Sequence, residues 1–495
     1  MSDTLSIALT DKMPAKGAAL VLYTDESGHF GARSNQLWQS TGLDFKKIAK
    51  ATRFAGRPGH IVDIPAPTGI DFERLIVLGR GAEAANPEIA AWSDRGGSLF
   101  AKLDAAGVSE AAIVIDEDDS SPQMIAALAA GAKLRSYRFE KYKAKDKSDR
   151  PALTALTLHI PKMDCAQSAL DRAMAVAEGT MFARDLVNEP PNHLGPADIA
   201  AIATDMSSLG LEVEILAVTD LERLGMGALL AVGQGSVRPP HVAVLHWKGG
   251  KKNDAPIAIV GKGIVFDTGG ISIKGAANMD AMKGDMGGAA AVLGIMKTLA
   301  LRKASINAVG VVALAENMPD GNSYRPGDIL KAMSGKTIEV INTDAEGRLA
   351  LADALWYTRE TCKPRLMIDL ATLTGAMLVA MGHDFAGLFT NTDQLADQLM
   401  SAGFATGEKV WHWPMSPAYE KLIESRFADI KNQGGRNGGA IIAAHFLANF
   451  VGDTPWAHID IVGTAFGGPS SETNTSWASG FGVALLDRFI ADNYE

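Results

Sequence analysis

Asp344, Glu346 and Arg348 fall within five residues of one another, in the run Asn-Thr-Asp-Ala-Glu-Gly-Arg-Leu at 342–349, directly after a β-branched, strand-like run at 337–341. Upstream, Gly-Lys-Gly-Ile-Val-Phe-Asp at 261–267 supplies Lys262 and Asp267, and Met-Lys-Gly-Asp-Met at 282–286 supplies Asp285. Carboxylate oxygens are hard ligands, and several of them gathered at strand ends form the donor set that divalent cations take. Each acid taken singly reads as a turn residue or helix N-cap; the set reads as a metal site. Lys262 has two readings, a surface ammonium or an amine whose pKa is depressed by burial and neighbouring cations, and only the neutral form can ligate a metal. Lys274, in Ile-Ser-Ile-Lys-Gly, reads as a charged group able to polarise a carbonyl.

These side chains can converge only if the elements beneath them share one end of a sheet. Strand-like runs at 18–23, 74–78 and 111–115 and helical patterns at 87–105 and 122–134 predict a small α/β domain over 1–165. An amphipathic pattern from 167 to 184 runs into Asn-Glu-Pro-Pro-Asn at 188–192, where paired prolines stop a helix, so 166–192 reads as the link. Beyond it, strands near 213–216, 241–246, 257–260, 306–313, 365–370 and 458–461 alternate with helices at 287–301 and 348–357. The expected fold is therefore α/β with two domains: a smaller N-terminal one, and a larger catalytic one over 193–495 with a mostly parallel, helix-covered mixed sheet. Ligands bind such sheets beyond the carboxyl ends of the strands, where glycine-flanked turns would present Lys262, Asp267 and Asp285. If 344–348 is extended, Asp344, Glu346 and Arg348 point the same way into one cavity.

A chain of 495 residues with 47% hydrophobic residues can fill two cores. Its net charge of -10 counts against nucleic acid as a partner, and the lysine-rich stretch at 139–151 reads as a solvated loop. The two cysteines, Cys165 and Cys362, form no metal or disulfide spacing and suit a reducing compartment. The N-terminus has no basic lead into an apolar stretch, and no run is apolar enough to span a bilayer, so a cytoplasmic protein is expected. HExxH and GxSxG are absent. Ser-Gly-Lys-Thr at 334–337 has Leu330 where a P-loop needs glycine and reads as a turn, and His383 reads as a loop or core residue.

From Asn188 to about Val483 the chain resembles the leucyl aminopeptidases, the cytosolic dinuclear-metal family. The likeness is carried by Asn-Glu-Pro-Pro-Asn, the lysine- and glycine-rich run 261–274, Met-Lys-Gly-Asp-Met, Ala-Glu-Asn-Met-Pro at 315–319, Tyr-Arg-Pro-Gly-Asp at 324–328, and the 342–349 signature. Asp-Leu-Ala-Thr-Leu-Thr-Gly-Ala at 369–376 and Asn-Gln-Gly-Gly-Arg at 432–436 complete it. The resemblance implies two divalent ions per subunit, Mn2+ or Zn2+, bridged by Asp267 and Glu346, with Asp344 completing one shell and Lys262 and Asp285 the other. It further implies Lys274 and Arg348 as catalytic residues, bicarbonate held at Arg348 as general base, and substrate contacts from Met282, Thr372, Leu373 and Gly375. The implied activity is release of N-terminal residues from peptides with a free amine, through attack by a hydroxide lying between the metals, in a homohexamer. Gly284, Val462 and Ser-Gly-Phe at 479–481 depart from the family pattern and bear on side-chain preference. A DNA-binding accessory role and a different dinuclear hydrolase are the competing classes; a salt-dependent gel shift and a substrate panel with chelator separate them.

Overall fold

The structure is a computed structural model that describes residues 5–81, 89–116, 121–144 and 153–495. Residues 87 and 88 of the first expected helix, and 145–151 of the lysine-rich stretch, lie outside the described residues. The chain divides into two compact units, 1–177 with 470–476 and 178–469 with 477–495, and passes from one to the other inside helix Ala166–Asn188.

The first unit is built on six strands in the order Ser6–Thr10, Ala155–His159, Glu110–Val114, Lys16–Asp25, Asp71–Gly81, Ile61–Pro65, parallel except for the last pair. Strand Lys16–Asp25 is continuously apolar from Ala18 to Leu22 because both faces are covered there. Ala19 and Val21 pack with Leu99, Phe100 and Ile125 of the helices on one side, while Leu20 and Leu22 pack with Trp38 on the other.

The second unit has an eight-stranded mixed sheet in the order Val410–His412, Ala386–Thr390, Trp456–Asp460, Leu366–Ala371, Ile257–Asp267, Asn307–Asn317, His241–Lys248, Glu212–Leu216. Its central neighbours are parallel, and antiparallel pairs lie toward both edges. Helices cover both faces: Gly287–Leu301 and Val483–Tyr494 share one core with Ile257 and Ile259, and Gly347–Tyr357 and Gly439–Ala448 share the other with Val260 and Ile264. Among the described residues no helix is long and apolar enough to cross a membrane.

Two local expectations are corrected. Lys262 is not on a turn: strand Ile257–Asp267 runs straight through it, with Gly261, Lys262 and Gly263 paired to Val312, Ala313 and Leu314. The flanking glycine at 261 serves packing, since a Cβ there would lie 2.8 Å from Ala289 Cα in the covering helix. The run at 337–341 forms only a short strand, Thr337–Glu339, in a separate three-stranded sheet with Ile329–Lys331 and Ile430–Lys431. Residues 332–336 make the turn of that hairpin, with Gly335 at φ 86°, and Thr337 opens the strand.

Candidate active site

Lys262 is the hub, 2% exposed. Its ammonium lies 2.8 Å from the Asp285 carboxylate, 2.9 Å from Glu346 Oε1, and donates to the Thr372 carbonyl at 2.9 Å. Three protons thus meet three acceptors. Burial opposes the charge, but Asp285, Glu346 and Asp267 outweigh it and lift Lys262 above its ordinary value. Acting as a neutral ligand would require it to exchange these acceptors for a cation.

Asp267 reaches the same face through a bulge. Ala315 pairs with Ile264 but Asn317 pairs with Asp267, so the central strand carries one extra residue, which reverses the alternation and turns Asp267 toward the side from which Lys262 projects. Its carboxylate accepts from Asn317 Nδ2 at 2.8 Å, from the Gly269 amide at 2.9 Å and from Lys274 Nζ at 2.8 Å. Lys274 also pairs with Asp344. Asp285 follows the 3-10 helix Met279–Gly284, just ahead of helix Gly287–Leu301, and accepts from Thr372 Oγ1 at 2.8 Å.

Asp344 and Glu346 converge by a route other than the expected one. The segment is not extended: 344 lies in a turn, Glu346 is the α-conformation N-cap of helix Gly347–Tyr357, and Arg348 is inside that helix. Alternation by two therefore does not apply; the turn and the helix start aim these side chains. Asp267, Asp344 and Glu346 each offer an oxygen, and these oxygens lie within 4.8 Å of one another.

The electrostatics fit dications. Burial first, and the neighbouring carboxylates with it, raise Asp267, Asp285 and Asp344 above the usual range despite the two lysines. Four carboxylates face two ammoniums, and Glu346 Oε2 is buried without a hydrogen-bond partner among the described residues. Such a site calls for added positive charge, and its carboxylate oxygens suit divalent cations. Arg348 donates from Nη1 to the Asn432 carbonyl at 2.7 Å, while its buried Nε has no acceptor among the described residues. Burial pushes its guanidinium down to about 10, against the pull of Glu346 and Asp460. An anion at Nε would satisfy both deficits.

Of the residues implied for substrate, Thr372 is drawn into the cluster by Lys262 and Asp285. Leu373 follows it with its amide held by Asp460 at 3.0 Å. Gly375 opens helix Gly375–Met381 with free space above its Cα. Met282 lies in the 3-10 helix before Asp285, and its carbonyl accepts from the Asp285 amide at 3.2 Å. Gly284 is explained by its neighbour: a Cβ there would sit 2.5 Å from the Phe466 ring, itself stacked on Trp477.

Asn317, Thr343, Asn432 and Asp460 carry no role in the sequence reading yet brace this site. Asn317 Nδ2 bonds both Asp267 and the Thr343 carbonyl, and Thr343 Oγ1 donates to the Gly269 carbonyl at 2.6 Å. Asp460 also accepts from Thr374 Oγ1 at 2.6 Å. Only the placement of Asn317, Thr343 and Asn432 in recognisable motifs hinted at them.

Residues 181–487 match the cytosol aminopeptidase family, catalytic domain, and 20–146 match its N-terminal domain. The chain is 51% identical over 499 residues to a probable cytosol aminopeptidase of Bradyrhizobium sp., covering 100% of this chain and 99% of that protein. It is 53% identical to one of Rhizobium johnstonii, with 100% of each covered. Among solved structures it is similar to a tomato leucine aminopeptidase variant (TM-score 0.86, 33% identity, 99% and 97% of the chains covered). It is also similar to the bottromycin maturation enzyme BotP in complex with Mn (TM-score 0.84, 30% identity, 96% and 99% covered).

Proposed function

Because the chain belongs to the cytosol aminopeptidase family, and is on that ground an aminopeptidase, we propose that it releases N-terminal residues, leucine among them, from peptides in a metal-dependent hydrolysis. The metals are proposed to be two divalent cations held by Lys262, Asp267, Asp285, Asp344 and Glu346. The observation that carries this reading is the buried excess of carboxylate charge, with the Glu346 Oε2 lone pairs left unused. The manganese bound by the similar BotP enzyme supports Mn2+ as one occupant, with Zn2+ the other choice. When bound, the cations supply Lewis acidity, lowering the pKa of water and polarising a carbonyl, in the proposed form as a hydroxide lying between them.

The chain's own groups divide the remaining work. Lys274, paired with Asp267 and Asp344 and partly exposed, presents a cation that stabilises negative charge on the carbonyl oxygen. Arg348 Nε holds an anion in place, and bicarbonate is proposed there as the source of general-base capacity. Met282, Thr372, Leu373 and Gly375 are proposed to line the place of the N-terminal residue. A cytosolic setting and a hexamer are proposed on kinship alone.

The experiment is hydrolysis of a panel of aminoacyl anilides by protein reconstituted with each metal, with a chelator control and one peptide offered free and N-acetylated. Acetylation removes the amine lone pair that distinguishes an N-terminal residue from an internal one. Cleavage of the free peptide alone, abolished by chelator, is expected. Equal cleavage of both peptides would mean an endopeptidase or amidase, and full activity in chelator would remove the metals from the reading.

A further inference from the structure

We propose that Asn432 is a positioning residue that sets both the turn carrying Asp344 and Glu346 and the guanidinium of Arg348; this rests on the reading of the site as an aminopeptidase centre. Asn432 is 0% exposed. It follows strand Ile430–Lys431, which runs parallel to Thr337–Glu339, and its amide continues the ladder by donating to the Glu339 carbonyl at 3.0 Å. Past Glu339 the neighbouring chain leaves the strand, and the Asn432 side chain takes over the pairing.

Its Oδ1 accepts from the amides of Ile341 at 2.8 Å and Asn342 at 3.3 Å. Its Nδ2 donates to the carbonyls of Asn342 at 2.7 Å and Ala345 at 3.4 Å. Both donors and both acceptor positions of the amide are therefore spent on 341–345. The main-chain carbonyl of the same residue accepts from Arg348 Nη1 at 2.7 Å. One buried residue thus fixes an irregular turn and, on its far side, the arginine one helical step beyond that turn. Aspartate offers the two acceptors but no donor, and would set an oxygen against two carbonyl oxygens. Alanine leaves all four partners buried and unmet.

Supporting partners of metal ligands are worth about 10- to 100-fold in affinity or activity, and a misplacement of about 1 Å can cost about 10²-fold in rate. The test compares the full-length protein with Asn432→Ala and Asn432→Asp. Three measurements are made on each: thermal unfolding, Mn2+ content after dialysis against graded Mn2+, and kcat and KM for leucine anilide at saturating Mn2+. Expected are folded variants whose Mn2+ dissociation constant rises about tenfold or more and whose kcat falls about 10- to 100-fold at saturating metal, with KM changed less than about threefold. A folded variant with wild-type metal affinity and kcat overturns the proposal. So does loss of secondary structure in both variants, which would make Asn432 a purely structural residue. A wild-type protein that takes up no metal and hydrolyses nothing would instead sink the aminopeptidase reading, and it is seen before any variant is made.

Discussion

Alanine at Lys262 and alanine at Lys274 should disable the enzyme in different ways. Lys262 is buried with three acceptors at 2.8–2.9 Å, so its removal strands Asp285 and Glu346 without their cation. Breaking a buried ion pair from one side costs about 3–5 kcal/mol. At about 2.1 cal/mol/K per residue, a second unit of about 311 residues shifts by roughly 1.5 °C per kcal/mol, so the metal-free protein should lose on the order of 5–8 °C in the melting of that unit. Metal at about 100 times its dissociation constant returns roughly 2.7 kcal/mol, so Mn2+ should recover part of that loss and part of the activity. Lys274 has a side chain 25% exposed, and its pairs with Asp267 and Asp344 are better screened, so the stability cost should be smaller. Its loss should instead lower kcat by about 10²- to 10³-fold at full metal content, the usual cost of one oxyanion stabiliser, and added metal should not restore it. Scanning calorimetry and anilide hydrolysis during a manganese titration of each variant read out both effects. If manganese rescues Lys274→Ala and leaves Lys262→Ala inactive, the two roles have been exchanged and the charge argument fails.

Asp344→Ala and Glu346→Ala should each lose metal and turnover together while the first unit keeps its melting transition; elemental analysis showing full occupancy with normal turnover would refute the ligand assignment. Asp353, fully buried, accepts amides from Ala228, Leu229 and Met333, yet burial pushes it up to about 7 from an ordinary 3.8. The folded chain then holds a proton between those values that the unfolded chain has released, so this residue's contribution to stability falls as pH rises from about 4 to 7. Asp353→Asn should flatten that dependence, and melting curves of both proteins at about pH 5 and pH 7.5 would show no change in slope if the idea is wrong.

Local pattern revealed the scaffold better than it revealed the aim of the side chains. Helix Gly287–Leu301 stands where its composition put it, and the paired prolines at 190 and 191 follow the end of helix Ala166–Asn188. The acids were visible as a set because carboxylates and glycines are conspicuous in sequence. How they meet was not. Lys262 looked like a turn residue because its glycines advertise turns, whereas they serve the approach of a helix encoded some 25 residues later. Asp344, Glu346 and Arg348 looked extended because they alternate, but a helix begins among them. Asn432 acts across about 90 residues of chain, through amide bonds to backbone that any residue type at 341, 342 and 345 could provide. No local window contains that information.

The bulge ahead of Asp267 makes residue count, rather than residue type, the guarded quantity in that part of the chain. Val265 and Phe266 can exchange for other apolar residues at modest cost. Removing one of them along with the bulge would place Asp267 two residues after Ile264 in regular alternation, still on the side from which Lys262 projects, whereas one further residue at the same bulge would swing its carboxylate through the sheet, into the core behind it. The sheet would still pair and the domain could still fold. Divergence within this segment is therefore open to substitution and to loss of the bulged residue but closed to a single insertion, and a relative one residue longer here would have to draw this ligand from somewhere else.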